Sequence, residues 1–327
     1  MQELAETLVS WDKNNTNYAI ALVTQTWRSA PRPVGTIMAM NEHQQIIGSV
    51  SGGCIEGAVA EELIKAINTG ESVLLHYGIQ NETAWQSGLS CGGQIEILVF
   101  PINRDGPHSK VWSQALEFSI NKQPFGLLFQ SSNLPNHPMV KELSYATDTS
   151  LFSAKSGYIS LSGKNYFAWI HPPIANLYIV GGAHLSAELV FLANHFGFQT
   201  TVIDPRGFFT EHTQYADAPH TLINDWPAPF FENQTLTPFD FGVVLSHDPK
   251  IDDQALSIFL ASPITYIGAL GSKKNQEKRK IRLLEKGFTE EDIARINGPI
   301  GLDINASSAR EIALSILAQM IQIKNQS

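Results

Sequence analysis

The sequence predicts an α/β protein of two parts, an N-terminal mixed α/β domain that contains the cysteines and a C-terminal Rossmann-like domain with a doubly wound parallel sheet. Three observations predict it. From residue 177 to the end, short apolar runs rich in β-branched residues alternate with helical periodicities, as strands joined by crossover helices do. Before that point strand-like runs follow one another with few helices between them. At 171–173 the tripeptide HPP interrupts an otherwise apolar segment, which sets the domains at 1–172 and 173–327.

Leu4, Leu8 and Trp11 recur on a polar background at helical spacing and predict a helix over 2–13. YAIALVTQTW, 18–27, is β-branched and aromatic enough for a buried strand, and the prolines and glycine of RSAPRPVG end it. Residues 36–40 and 46–50 form a hairpin around a polar turn. The SGGC loop then leads into a helix over IEGAVAEELIKAIN that stops near Gly70. Strands follow at 73–77 and 95–100, so the core motifs span 17–101. A helix at 111–120 and a strand at 125–130 come next, while the polar 131–150 reads as an exposed loop or variable insertion. A further strand ends at Ile170. In the second domain the pattern predicts strands at 177–180, 200–204, 241–245 and 264–268, with helices at 186–196, 252–260, 275–286, 290–295 and 308–323.

Composition removes several functional classes. The 327 residues carry 22 Lys and Arg against 31 Asp and Glu, a net charge of −9. Nucleic-acid affinity comes mainly from cations that neutralise phosphates, so no nucleic-acid partner is expected. No apolar window reaches the roughly 18 residues of a membrane span. The opening MQELAETLVSWDKNN places acids where a secretory leader would be basic, and a cytoplasmic protein is expected. Two cysteines without a CxxC spacing make neither a disulfide scaffold nor an ordinary zinc site.

In the second domain Gly181, Gly182 and Ala183 join a strand to an amphipathic helix, as at a dinucleotide-binding turn where backbone amides meet a phosphate. The strict GxGxxG pattern is not met, since Ala183 and Ser186 stand at the second and third glycines. Asp204 ends the next strand, 23 residues after Gly181, where it suits a ribose hydroxyl or a mere cap; Arg206 beside it suits a phosphate. His184 and His247 each follow an apolar strand and face one crevice in this reading. Ser272 caps a later helix, with Lys273 and Lys274 beside its N-terminus as an anion site. Lys278, Arg279, Lys280 and Arg282 read as a solvated face.

Cys54 follows Gly52 and Gly53 and precedes a helix, whose N-terminus would favour its thiolate, while the glycines leave room for a bulky ligand. Cys91 stands in a second glycine-bordered loop, GLSCGGQ, 37 residues on. Both settings favour functional thiols over buried ones. No GxSxG elbow supports serine hydrolysis.

TWRSAPRPVGTIM, GSVSGGCIEGAV, TAWQSGLSCGGQIEILV, YIVGGAHLSAELV, TTVIDPR, YIGALGSKKNQEKR and NGPIGLDINASSAREIALSIL occur in order over 17–323 and together resemble the XdhC/CoxI family of xanthine dehydrogenase accessory factors. The resemblance implies a chaperone that binds molybdenum cofactor (molybdopterin), protects it while a cysteine desulfurase installs its sulfido ligand, and delivers it to xanthine dehydrogenase or a related molybdoenzyme. It implies cofactor contacts at Cys54, Cys91 and Arg32, with either thiol as a molybdenum contact, since thiolate is the soft protein ligand. The chain departs from the family's GAGH turn with Gly181-Gly182-Ala183-His184, and from HDHALDD with Pro249 and Lys250. A shared cleft that shields a labile ligand would make a homodimer. Two other functions remain open on the residues alone: an oxidoreductase that uses NAD(P), and a regulator gated by a nucleotide.

Overall fold

A computed structural model describes residues 2–28, 32–78, 93–102, 109–130, 139–143, 149–152, 155–207 and 215–326. The chain divides into two compact units, Met1–Pro173 and Ile174–Ser327.

The first unit runs α1 (Gln2–Lys13), β1 (Tyr18–Trp27), β2 (Ile37–Asn41), β3 (Ile46–Gly48), α2 (Glu56–Thr69), β4 (Val73–Tyr77), β5 (Gln94–Pro101), α3 (Ser109–Ile120), β6 (Phe125–Gln130), β7 (Met139–Leu143), α4 (Thr149–Phe152), β8 (Gly157–Leu161) and β9 (Lys164–His171). It holds a five-stranded sheet, ordered β3-β2-β1-β5-β4, and a four-stranded sheet, ordered β7-β6-β9-β8. Side chains alternate faces along a strand. Tyr18, Ile20 and Leu22 of β1 therefore join a core with α1, α3, β6 and β9. Ala19, Ala21 and Val23 join a second core under α2. Burial on both faces explains why β1 is almost unbroken in apolar residues.

The second unit runs β10 (Asn176–Val180), α5 (His184–His195), β11 (Gln199–Ile203), β12 (Thr221–Ile223), α6 (Pro227–Phe231), β13 (Asp240–Val244), α7 (Pro249–Leu260), β14 (Tyr266–Ala269), α8 (Lys273–Glu285), α9 (Glu290–Ala294), β15 (Ile296–Asn297) and α10 (Ala309–Gln326). Its six strands are all parallel. Their order is β12-β11-β10-β13-β14-β15. Counted within the unit this is 3-2-1-4-5-6, the usual order of dinucleotide-binding sheets. The switch point, where successive connections leave in opposite directions, falls between β10 and β13. Leu177 and Ile179 face a core with α5 and α10, while Tyr178 and Val180 face one with α6 and α7.

Two expectations need correction. The stretch 131–150 is not all loop: Met139–Leu143 is a strand paired with β6, and Thr149–Phe152 is a helical turn. Ladder hydrogen bonds at a sheet edge hold β7 despite its weak apolar pattern. The solvated face predicted on α8 also fails for two of its four residues. Arg279 is only 6% exposed, and Arg282 pairs with Asp253, because α8 turns this side toward the acids of α7.

Candidate functional site

The Cys54 loop is held by a residue that the sequence pattern does not single out. Glu56, in the first turn of α2, turns its carboxylate back onto the residues before the helix. Its Oε1 accepts the Ser49 hydroxyl at 2.7 Å, the Ser51 amide at 2.8 Å and the Gly52 amide at 2.9 Å. Its Oε2 accepts the Ser51 hydroxyl and the Gly53 amide, the latter at 2.8 Å. Burial works against the charge, but the hydrogen bonds from Ser51 and Ser49 outweigh it and hold the Glu56 carboxyl down at about 2.

The backbone amides ahead of the helix are taken up within the loop. The amides of Gly52 and Gly53 go to Glu56, and those of Cys54 and Ile55 both go to the Ser51 hydroxyl at 3.1 Å. The donors that precede the helix are thus committed within the loop, beside a carboxylate. Cys54 itself is half-buried and forms no disulfide. Gly52 and Gly53 have φ of +78° and +117°, and a methyl group added to either would meet no atom of the described residues within 4 Å. Glycine is required there for backbone conformation rather than for space among the described residues.

Arg32 is exposed and lines a cleft of about 630 Å³ between the start of β2, the end of β3 and the end of β9. Ser49 lines the same cleft. Its hydroxyl, which donates to Glu56, also accepts the Gly52 amide at 3.0 Å, so one side chain belongs to both the cleft and the Cys54 loop. Cys91 lies outside the described residues.

In the second unit the predicted residues gather at the carboxyl ends of β10, β11 and β13, but largely bind one another. Asp204 is fully buried. It accepts the Gly182 amide at 2.8 Å, the Arg206 amide at 2.9 Å, and the Arg206 guanidinium through Nε at 2.9 Å and Nη2 at 2.7 Å. Burial opposes its ionisation, yet the bonds from Arg206 and Gly182 prevail and place it below the ordinary carboxylate range. Arg206 Nη1 also donates to the Ser246 carbonyl at 3.4 Å, so this side chain spans the switch point from β11 to the turn after β13. Gly181 has φ +107°, and a Cβ there would lie 2.5 Å from the Ser246 nitrogen. The third glycine of the dinucleotide pattern is replaced by Ser186, whose hydroxyl donates to the Gly181 carbonyl.

His184 and His247 are exposed at the ends of the adjacent strands β10 and β13, His247 with φ +62°. Among the described residues no group of three or more His, Cys, Asp or Glu is arranged to hold a metal ion. Ser272 caps α8 as predicted, accepting the Asn275 amide, with Lys273 and Lys274 exposed beside it. Behind that turn lies a buried network that the sequence pattern does not announce. The Ser246 hydroxyl donates to Asp252 at 2.6 Å, and Asp252 pairs with Arg279 at 3.2 Å. Burial raises Asp252 and lowers Arg279, each partly offset by the other's charge.

Sequence profiles match both units. One described as the XdhC and CoxI family covers residues 11–78, and one described as the XdhC Rossmann domain covers 177–320. The chain is 25% identical over 327 residues to a Bacillus subtilis strain 168 protein named as a probable subunit of xanthine dehydrogenase, covering 94% of this chain and 93% of that protein. It is 25% identical over 297 residues to the molybdenum cofactor insertion chaperone PaoD of Escherichia coli K12, covering 90% and 80%. It is 22% identical to YqeB of the same strain over 96% of this chain, but spans only 45% of that protein's length. A crystal structure from Bacillus halodurans described as a xanthine dehydrogenase superposes with a TM-score of 0.71 and 25% identity, covering 99% of this chain and 96% of that one.

Proposed function

The chain belongs to the XdhC and CoxI family, and from that premise we propose that it is a chaperone for molybdenum cofactor. It holds the cofactor while a cysteine desulfurase installs the sulfido ligand, then hands it to xanthine dehydrogenase or a related molybdenum hydroxylase. The names of the B. subtilis and E. coli relatives support a maturation role of this kind.

The observation that carries the proposal is the Cys54 loop. It presents a half-buried thiol beside two exposed glycines, on a backbone already fixed by Glu56. A soft thiol suits molybdenum and its dithiolene. The loop amides are occupied and an anion stands beside them, so Cys54 recruits its ligand through softness rather than positive charge. The phosphate of the cargo is left to cations elsewhere, among them Arg32. Cys91 acts as the second thiol in this proposal.

The test is to purify the protein from cells that make molybdenum cofactor and to measure the fluorescence of the oxidised pterin together with molybdenum. Both are expected. Their absence, with the pathway shown active, refutes the proposal. The same preparation, examined by sedimentation and by fractionation, tests the accompanying proposals of a homodimer and a cytoplasmic location.

The strand order of the second unit favours a second reading, in which NAD(P) or another nucleotide binds at the switch point. Calorimetric titration with NAD and NADP tests it. Saturable binding that is lost in Asp204→Ala supports it, and flat titrations refute it.

A further inference from the structure

The cleft in the first unit carries a hydrogen-bonding pattern that specifies what fits it. Its volume, about 630 Å³, lies within the range of small-molecule sites. Its apolar walls include Val34, Ile37 and Ile170. Among the described residues three hydroxyls line it, and each donates its proton within the protein. Thr36 donates to the Pro33 carbonyl at 2.7 Å, Ser49 to Glu56 at 2.7 Å and Ser156 to the Ile170 carbonyl at 3.3 Å. A hydroxyl has one donor and two acceptor lone pairs. Ser49 and Ser156 each accept one backbone amide as well, from Gly52 and from Ile170, which leaves one lone pair on each and two on Thr36.

These hydroxyls therefore meet a ligand only as acceptors. A phosphate or carboxylate, itself an acceptor, finds a donor among them only by breaking one of these bonds. An N–H-rich ring edge does find its complement. The cation of the cleft is the exposed Arg32, whose planar fork suits a phosphate. The remaining polar side chain is His171. It is stacked on Phe125 at 4.4 Å and set edge-on to Trp169 at 4.9 Å, and its buried Nε2 has no partner among the described residues. The wall is stiff. Trp169 Nε1 donates to the Gly35 carbonyl at 2.9 Å, and Gly35 has φ +87°, where an added Cβ would crowd the Ser156 hydroxyl at 3.1 Å.

We propose that this cleft binds a planar, N–H-rich heterocycle carrying one phosphate, with the ring edge on Thr36, Ser49 and Ser156 and the phosphate on Arg32. A pterin phosphate is the member of that class required by the chaperone function proposed above, on which the choice of ligand rests. Ser49 then joins the ring subsite to the Cys54 loop, so the pterin and the thiol serve one cargo from adjoining surfaces.

The test is fluorescence titration of the full chain with three probes: a 6-substituted pterin phosphomonoester, the same pterin without phosphate, and inorganic phosphate. Arg32→Gln is expected to weaken the phosphorylated pterin about tenfold and to leave the dephosphorylated one unchanged, as loss of one charged contact would. Thr36→Val removes the acceptor at nearly constant volume and is expected to weaken both pterins about two- to tenfold, the range of one hydrogen bond. Unchanged melting temperatures establish that both variants fold.

Equal affinities in wild type and both variants overturn the proposal, as does tighter binding of inorganic phosphate than of the pterin phosphate. Two further outcomes separate it from the chaperone proposal. Cofactor that copurifies equally with wild type, Arg32→Gln and Thr36→Val overturns the cleft while sparing the chaperone. Pterin phosphate binding that follows the predicted pattern, in a protein that never copurifies with molybdenum cofactor, sustains the cleft and refutes the chaperone.

Discussion

Arg206 holds Asp204 by two guanidinium contacts, Nε on Oδ1 at 2.9 Å and Nη2 on Oδ2 at 2.7 Å, at the point where a dinucleotide-binding sheet would offer its carboxylate to a ribose. The pair is asymmetric: Asp204 is wholly buried, while about a third of the Arg206 side chain is exposed. Arg206→Ala leaves a buried carboxylate without its counter-ion. Breaking a fully buried pair costs about 3–5 kcal/mol, and solvent screening of the arginine lowers the expected loss to about 1–3 kcal/mol, read by urea denaturation. The folded pKa of Asp204 lies below its ordinary 3.8, so its stabilisation is complete above that value and is lost as pH falls through the folded pKa. The stability gap between wild type and Asp204→Asn should therefore close below about pH 3.8.

Glu56 is expected to matter as much to the loop as Cys54 does to the ligand. In Glu56→Gln, amide exchange at Gly52 and Gly53 should accelerate about tenfold at pH 7, roughly the value of one lost charged hydrogen bond. In the wild type the carboxyl is depressed from 4.5 to about 2. Protection of these amides should hold above pH 4.5 and fade as pH falls toward 2. Protection indifferent to Glu56→Gln would show that the loop is fixed by other contacts.

Two glycines of similar φ separate steric need from conformational need. Gly53 at +117° faces no atom of the described residues within 4 Å of an added Cβ, whereas Gly181 at +107° faces the Ser246 backbone at 2.5 Å from one. Gly53→Ala should cost about 1–2 kcal/mol, the penalty of an L-residue at positive φ. Gly181→Ala adds overpacking and should cost about 2–5 kcal/mol. Similar melting temperatures for the two variants would remove the role assigned to the Gly181–Ser246 contact.

Cys54→Ala is predicted to lower cofactor retention more than Cys91→Ala, because the loop behind Cys54 is already fixed by Glu56 and Ser51. Pterin fluorescence per mole of protein measures the difference, and equal loss in the two variants would reverse the ranking.

The Rossmann sheet was legible in the sequence because its central strands are unbroken apolar runs and its helices keep their period. The edge strands β12 and β15, of three and two residues, are too short to display any period. The glycine-bordered turn before Cys54 was legible, since Gly52 and Gly53 take the positive φ that glycine favours. Glu56 was not, since an acid in a first helical turn is ordinary, and its carboxylate reaches back past the Ile55 N-cap to the Gly53 amide, a contact that no capping pattern announces. Arg279 was hidden by the cations around it, although its four-residue spacing from buried Leu283 marks the inner face of α8. The acids that meet Arg279 and Arg282 lie 27 and 29 residues away in sequence, beyond any local pattern.

The Ser49 hydroxyl, held by Glu56 and Gly52 while lining the Arg32 cleft, gives the two surfaces one shared side chain, and any coupling carried through it acts equally in both directions. Whatever factor a ligand in the cleft contributes to the order of the Cys54 loop, an ordered loop returns to the affinity of the cleft. A cargo seated on both surfaces is released most readily by disturbing either one, so a client that perturbs only the thiol loop would also loosen the far end of the molecule it receives.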